Sequence, residues 1–473
     1  MPDHDQLIHD LLIAAGQAHP ERRALQDSAG ALTYADLTDA VHATAQWLTA
    51  HGVQAGDRVL VRLPPGRDVV RLLYGCSWIG ATLIPVSPSI GPTHWAHVVE
   101  DAEPALILTE LPDDFASAPI VPAPSPRHDP DAVALLIYTS GSTAMPKAVV
   151  CTHRQVVFAT RAIAEVVDYR PDDVVYCRLP FSFDYGLYQV LLCAAAGACL
   201  VIADPAAGPR ILADIRACRA TVVPLVPTLA AMLVAIAGRD GAEHTVRLFT
   251  NTGEWLASAL IDRLRDSFPA AAVQLMYGTT ECKRISVLTP DGDRDRPGSV
   301  GRPLPGTTVA IVDDDGTPLP AGQDGEITVS GAHVMSGYWR APALTARTFR
   351  TTAAGIVLHT GDQGRLDEDG YLYLLGRRDD IFKLNGVRTS VTEIEAIAAG
   401  LSGVTQAAVV PPDQLRQATL CLVTEGDRDA VLGELATLLE PARTPPVVVF
   451  LDRLPTNTSG KLDRTTLRRE VTG

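Results

Sequence analysis

Tyr138-Thr139-Ser140-Gly141-Ser142-Thr143-Ala144-Met145-Pro146-Lys147 decides how this 473-residue sequence is read. It directly follows the apolar run Ala134-Leu135-Leu136-Ile137-Tyr138, which has the character of a buried strand. Glycine and small hydroxyl residues at a strand end let backbone N–H groups come close to a polyphosphate, and the hydroxyls add further donors. Lys147 adds a compact positive charge for the outer phosphates. The spacing is not that of a Walker A loop, G-x-x-x-x-G-K-[ST]. Taken alone, the stretch also fits a flexible Ser/Thr turn between a strand and a helix.

Working outward, residues 58–63 read as a strand, 67–81 as a helix and 82–86 as the next strand. That alternation argues for βαβ units and a parallel sheet. Residues 112–130, rich in Pro, Ala, Ser and Asp, read as a connecting loop. A second α/β stretch is expected from Val133 to about Val287, with strands at 134–138, 198–202 and 220–224. From Gly298 to Gly376, short alternating runs such as 308–312 and 325–329 are separated by Asp/Gly/Pro turns, the texture of a β-rich module. The tail carries helical patterns at 392–399 and 430–439 and strands at 406–410, 419–423 and 447–451. The expected architecture is α/β: a large N-terminal domain of stacked α/β sheets plus a β-rich module over residues 1–376, and a small, mobile α+β C-terminal domain over 377–473.

The formal net charge of -15 disfavours non-specific nucleic-acid binding and docking on anionic membranes. No uncharged apolar run reaches the roughly 18 residues needed to cross a bilayer. The 8 cysteines form no C-x-x-C pair and sit mostly in apolar stretches, as in a reduced, cytoplasmic enzyme. The start, Met-Pro-Asp-His-Asp-Gln, lacks the basic and apolar segments of a signal peptide.

Three further clusters are chemically suggestive. In Tyr277-Gly278-Thr279-Thr280-Glu281, an aromatic can stack a base and the threonines can bond a phosphate. Glu281 is a hard oxygen ligand suited to Mg²⁺ on a triphosphate. The same string also fits a strand-to-helix turn with capping threonines. His359-Thr360-Gly361-Asp362, followed by Gly376-Arg377-Arg378-Asp379, places a carboxylate after a glycine turn, where it can grip vicinal ribose hydroxyls; an Asp/Gly hairpin is the alternative. Thr458-Ser459-Gly460-Lys461-Leu462-Asp463-Arg464 holds a lysine that, by itself, reads as solvated surface.

Together these motifs resemble, in order and spacing, the adenylate-forming superfamily of acyl-CoA synthetases, peptide-synthetase adenylation domains and firefly luciferase. The resemblance covers essentially the whole chain. Leu32-Thr33-Tyr34-Ala35-Asp36-Leu37 and Gly80-Ala81-Thr82-Leu83-Ile84-Pro85-Val86 are similar to the first two family motifs, and Gly325-Glu326-Ile327 through Gly337-Tyr338-Trp339 to the middle signature. The resemblance implies that the segment from Thr139 to Lys147, with Ser140, Gly141, Ser142 and Thr143, cradles the phosphates of ATP. It implies that Thr252-Gly253-Glu254 and Tyr277 frame the adenine, with Gly278 and Thr279 adjoining. Thr280 would touch the α-phosphate and the acyl carboxylate, and Glu281 the Mg²⁺. Asp362 and Arg377 would hold the ribose. Asp379 would be the hinge, and Lys461 would bridge the substrate carboxylate and ribose. Rotation about Asp379 would withdraw Lys461 and bring Lys383-Leu384-Asn385-Gly386 toward a thiol acceptor. Two positions depart from the family: Ala144 and Ala148 stand where glycine is usual, and alanine is strained wherever the backbone needs positive φ.

For the acid, Leu179-Pro180-Phe181-Ser182-Phe183-Asp184-Tyr185-Gly186-Leu187 is informative. Amino-acid-activating relatives often carry an aspartate here for the substrate ammonium, and a buried aspartate is costly unless paired. The expectation is an amino acid met by Phe183, Asp184 and Tyr188; the alternative is that Asp184 N-caps a helix beginning near Tyr185. In Cys282-Lys283-Arg284, Arg284 would enter the acyl pocket, to pair Asp184 or to meet a second substrate carboxylate; charges after such a turn more often lie at the surface. No carrier-serine motif follows Lys461, so the expectation is a stand-alone adenylation enzyme that passes its acyl group to the phosphopantetheine of a carrier protein in trans, or to CoA. The competing readings are an acyl-CoA ligase for a small non-amino acid and a catalytically silent nucleotide-binding homologue.

Overall fold

The computed structural model describes residues 6–115, 128–139, 145–203, 208, 210–240, 244–353, 355–377, 381–384, 387–412, 417–439, 444–457 and 461–471. Two large sheets dominate. The first has five strands in the order Leu106–Leu108, Arg58–Val61, Thr82–Pro85, Val133–Thr139, Lys147–Thr152. Its neighbours are parallel except the last pair, which is antiparallel. The second has nine strands; its parallel centre runs Ala272–Tyr277, Leu248–Asn251, Val222–Leu225, Val174–Cys177, Cys199–Ile202, Arg23–Asp27. Gly30–Thr33 closes one edge, and Ser286–Val287 with Arg302–Pro303 the other, all antiparallel.

The apolar runs explain this arrangement. Thr82–Pro85, Cys199–Ile202 and Val222–Leu225 are buried at every position. Strands covered by helices on both faces need continuous apolar sequence, and each fully buried aliphatic side chain contributes about 1.5–3 kcal/mol. Helices flank the strands, and their ends carry local signals. Thr152 caps His153–Val167 in a reciprocal capping box with Gln155. Gly197, at φ +69°, ends Asp184–Ala196 in the left-handed region that glycine tolerates.

The α/β stretch expected from Val133 onward does not keep to one sheet. Val133–Thr139 pairs with Thr82–Pro85 and closes the first sheet with Lys147–Thr152, whereas the early strand Arg23–Asp27 crosses to the second. Sheet membership depends on which edge a crossover reaches, which no local run encodes. Arg302–Pro303, inside the expected β-rich stretch, likewise belongs to the nine-stranded sheet.

The β-rich module is antiparallel: Thr307–Val312, Gly325–Gly331, Gly355–Leu366 and Phe349–Thr352 in order, with Leu372–Arg377 also on Gly355–Leu366. Beyond it, Val404–Val410, Thr419–Thr424 and Val447–Phe450 form a sheet with its own apolar cluster, in which Val391, Ile394, Leu420, Leu422 and Leu435 meet. Of the expected loop at 112–130, residues 113–115 form a short 3₁₀ turn that buries Phe115. All eight cysteines are free. Among the described residues, no helix is long and apolar enough to cross a membrane.

Candidate active site

A cavity of about 500 Å³ opens where strands of both large sheets end. Thr139 ends Val133–Thr139, Asn251 ends Leu248–Asn251 and Tyr277 ends Ala272–Tyr277; all three line the cavity. Ligands of α/β sheets bind at the carboxyl ends of strands, where the connecting loops part. Every described residue expected to meet nucleotide, metal or acid lines this cavity, with one exception, Tyr188. Ser140, Gly141, Ser142, Thr143 and Ala144, and the hinge candidate Asp379, lie outside the described residues, as do Asn385 and Gly386.

At the end where phosphates are expected, Lys147 opens the strand Lys147–Thr152, so the antiparallel ladder fixes its direction. Its Nζ lies 3.6 Å from Glu281 Oε1 and donates to the Tyr338 hydroxyl at 2.8 Å. Burial lowers the Lys147 pKa, and the Glu281 carboxylate opposes that shift. Ala148 sits within the strand, paired with Tyr138 and buried, and is absent from the positive-φ positions; alanine is unstrained there. That settles one of the two departures from the family pattern.

The turn after Tyr277 is tightly built. Lys283 N donates to Thr279 O at 2.6 Å, and Ile285 N to Tyr277 O at 2.8 Å. A Cβ on Gly278 would stand 2.0 Å from Lys283 O, so only glycine fits. Thr279, Thr280 and Glu281 are thereby held on the cavity wall. Opposite, Asp362 is buried; one carboxylate oxygen accepts the Tyr277 hydroxyl at 2.5 Å and the other lies 3.4 Å from Arg377 Nε. Tyr277 thus spends its hydroxyl orienting the residue expected to hold the ribose.

Where the acid is expected, two of the alternative readings fail. Asp184 does not N-cap its helix: Asp184–Ala196 begins at Asp184 itself, the cap residue is Phe183, and Asp184 Oδ1 takes the Tyr185 N–H at 2.9 Å. It is 4% exposed and faces the cavity. Cys282, Lys283 and Arg284 do not lie at the surface either. Arg284 is 4% exposed, lines the cavity, stacks its guanidinium 4.8 Å above the Tyr185 ring and leaves Nε without a partner. No ion pair joins it to Asp184 among the described residues. Lys283, 1% exposed, turns inward, donating to Thr280 O at 3.0 Å. Tyr188, one helical turn beyond Asp184, is buried behind the wall with Lys283 Nζ 5.6 Å from its ring; it does not reach the cavity.

Lys461 enters from the C-terminal segment. Its Nζ lies 4.2 Å from the Phe183 ring centroid, and a Cβ on Gly253 would come within 3.2 Å of it. Gly253, at φ +82°, and Phe183 form the slot that admits it. Leu462 N donates to Glu254 Oε1 at 3.4 Å, fastening the loop to the large sheet's rim. Burial lowers the Lys461 pKa against the opposing pull of Asp184 and Glu254, and burial raises that of Glu254.

The residues present fit the expected ligands. Thr139 Oγ1, Thr252 Oγ1 and Glu254 Oε2 are buried and unpaired. A buried polar atom without a partner costs about 1–3 kcal/mol, so their convergence on one cavity suits a polar ligand such as ATP. Glu281 offers a carboxylate beside Lys147, a hard oxygen ligand of the kind Mg²⁺ takes. Among the described residues no cluster of three or more metal-ligating side chains occurs. One participant escaped the sequence reading: Tyr338, which bonds both Lys147 and Glu281. Its only signal was the Gly337-Tyr338-Trp339 string.

Comparison with known proteins gives the same picture. The AMP-binding enzyme family matches residues 12–339. Phosphinothricin tripeptide synthetase PhsC of Streptomyces viridochromogenes is 30% identical over 98% of this chain, which spans only 45% of that protein's length. A plipastatin synthase of Bacillus subtilis is 29% identical over 97% of this chain, which spans only 19% of that protein. The crystal structure of VinN with L-aspartate is 42% identical, with a TM-score of 0.72, over 79% of this chain and 99% of that one. ATP-bound MatB from Rhodopseudomonas palustris is 26% identical, with a TM-score of 0.85, over 98% of this chain and 99% of that one. With its strand-end cavity, its lysines and its carboxylates in place, the chain belongs to the AMP-binding enzyme family of adenylate-forming acid–thiol ligases.

Proposed function

We propose that the chain activates an amino acid carrying a second carboxylate, forming its acyl-adenylate from ATP, and passes the acyl group to the phosphopantetheine of a carrier protein. One observation carries the substrate reading: Asp184 and Arg284, each 4% exposed, face the same cavity without pairing each other. Buried charges are costly unless paired, and here Asp184 has only the Lys461 ammonium to favour it and Arg284 no carboxylate at all among the described residues. A substrate ammonium on Asp184 and a carboxylate on the Arg284 guanidinium, which is otherwise held only by the Tyr185 ring and the Lys283 carbonyl, would supply the countercharges. The neighbour VinN, solved with L-aspartate, supports this chemistry. The carrier-protein acceptor is supported by the peptide-synthetase relatives.

The reaction needs no protein nucleophile. The substrate carboxylate attacks the α-phosphorus and pyrophosphate leaves, so positioning and charge neutralisation are what the protein contributes. Lys461, slotted between Phe183 and Gly253, presents its ammonium to the cavity that Asp184 and Glu254 also line, and both carboxylates favour its charge. Thr280 stands beside Glu281 on the turn facing it. Glu281 would hold Mg²⁺, which would further neutralise the phosphate charge. In this reading residues 1–376 and 377–473 are the large and small domains, and rotation about Asp379 withdraws Lys461 once the adenylate has formed.

ATP–pyrophosphate exchange across α- and β-amino acids, their des-amino counterparts and mono- and dicarboxylic acids tests the proposal. The expected result is exchange strongest with amino dicarboxylic acids. Exchange confined to simple acids would return Asp184 to a structural role and make the chain a CoA-ligase-like enzyme. Comparing a holo carrier protein with CoA as acceptor then tests the second half.

A further inference from the structure

Tyr338 is buried, does not line the cavity, and bonds two groups that do. Its hydroxyl donates to Glu281 Oε1 at 2.6 Å and accepts from Lys147 Nζ at 2.8 Å, while its ring lies 4.0 Å beneath that ammonium. A phenol suits this place because one oxygen both donates and accepts; phenylalanine offers the same ring and neither function. The mount is rigid. Gly337 O accepts from Val150 N and Trp339 N donates to Ala148 O, both at 2.9 Å, so Tyr338 rides on the strand that begins with Lys147. Its own N–H donates to Thr345 Oγ1 at 2.9 Å, and its ring packs edge-on against Phe349. The Glu281 backbone is tied to the same segment through Met335 N at 2.9 Å.

We infer that Tyr338 is a positioning residue for the end of the site where metal and phosphates are expected: it holds the Glu281 carboxylate in place and keeps its ion pair with Lys147 loose. This rests on the nucleotide reading of the cavity given above. Lys147 and Glu281 already form a loose ion pair, 3.6 Å apart. The intervening hydroxyl takes one hydrogen bond from each side, so the ammonium stays available to phosphate and the second carboxylate oxygen to the cation. Without it, the two side chains are free to tighten that pair to hydrogen-bond contact, which competes with both. Groups that orient a metal ligand from behind typically change metal affinity by 10- to 100-fold.

The test is calorimetric ATP binding to the full chain, with Mg²⁺ and with EDTA, for the wild type, Tyr338→Phe, Glu281→Gln and the double variant. Wild type should bind ATP more tightly with Mg²⁺. Tyr338→Phe should shrink that gain by about tenfold or more and alter binding in EDTA far less. Glu281→Gln should remove the gain, and adding Tyr338→Phe should remove nothing further, because coupled residues are non-additive. Equal weakening with and without Mg²⁺, a full gain in Tyr338→Phe, or additive losses in the double variant would each overturn the inference. Failure of the wild type to bind ATP at all would instead sink the nucleotide reading, and this inference with it.

Discussion

Lys461 and Asp184 share one polar recess, and their neighbours predict what each removal does. The lysine reaches the cavity only because Gly253 carries no side chain and Phe183 offers its ring face. Lys461→Ala should lower adenylate formation by about 100- to 1,000-fold, the usual effect of deleting a group that meets developing charge. ATP binding, and acyl transfer from a synthetic adenylate to a thiol, should survive. Pyrophosphate exchange and single-turnover transfer measure the two halves, and equal loss in both contradicts the role given to Lys461. Asp184→Ala should penalise amino substrates over their des-amino analogues by roughly 10- to 100-fold in kcat/KM, since a hydrogen bond to a charged group is worth about 1.5–3 kcal/mol. An equal effect on both series would leave Asp184 only its bond to Tyr185 N.

Among the elements, the turn from Tyr277 to Ile285 carries the most constraint in the fewest residues. Gly278 lies against the Lys283 carbonyl, and Lys283 itself has φ +65°. Gly278→Ala must push that carbonyl away and, with it, Thr279, Thr280 and Glu281. A loss of at least about 2 kcal/mol in stability is expected, in the range of substitutions that strain a buried turn, together with loss of exchange activity; denaturant unfolding and the exchange assay read the two. The contrasting case is Gly433, exposed within Arg428–Leu438, where a Cβ meets nothing within 4 Å. Gly433→Ala should stabilise that helix by about 0.5–1 kcal/mol. A destabilised Gly433→Ala would show that packing onto this helix is tighter than its open surface indicates.

At the scale of the whole molecule, the N-terminal helix Ile8–Ala18 docks through buried histidines that are neutral in the fold. His9 Nδ1 lies 2.9 Å from Ser77 Oγ, its ring faces Trp78, and Asp10 and His42 stand nearby. His153 Nδ1 accepts the Ile8 N–H at 3.3 Å. Burial lowers His9 to about 4 and His153 to about 3, against an ordinary value of 6.5. The unfolded chain therefore takes up protons first, and stability is lost as pH falls from about 6.5 toward 4. Between pH 7 and pH 5 each histidine should cost on the order of 2 kcal/mol, and a His9→Gln/His153→Asn double variant should flatten that decline in urea unfolding. The sequence by itself determined the strands and helices with continuous apolar or 3.6-residue patterns, the strand-to-loop position of Thr139 and Lys147, and the family motifs, because these depend on neighbours along the chain. It did not determine that Val133–Thr139 completes the first sheet, that Arg284 and Lys283 are buried, that Tyr188 falls behind the wall, or that Tyr338 joins Lys147 to Glu281. Those are facts of juxtaposition between segments up to 191 residues apart, decided by which strand edges and helix faces meet when the apolar runs are buried together.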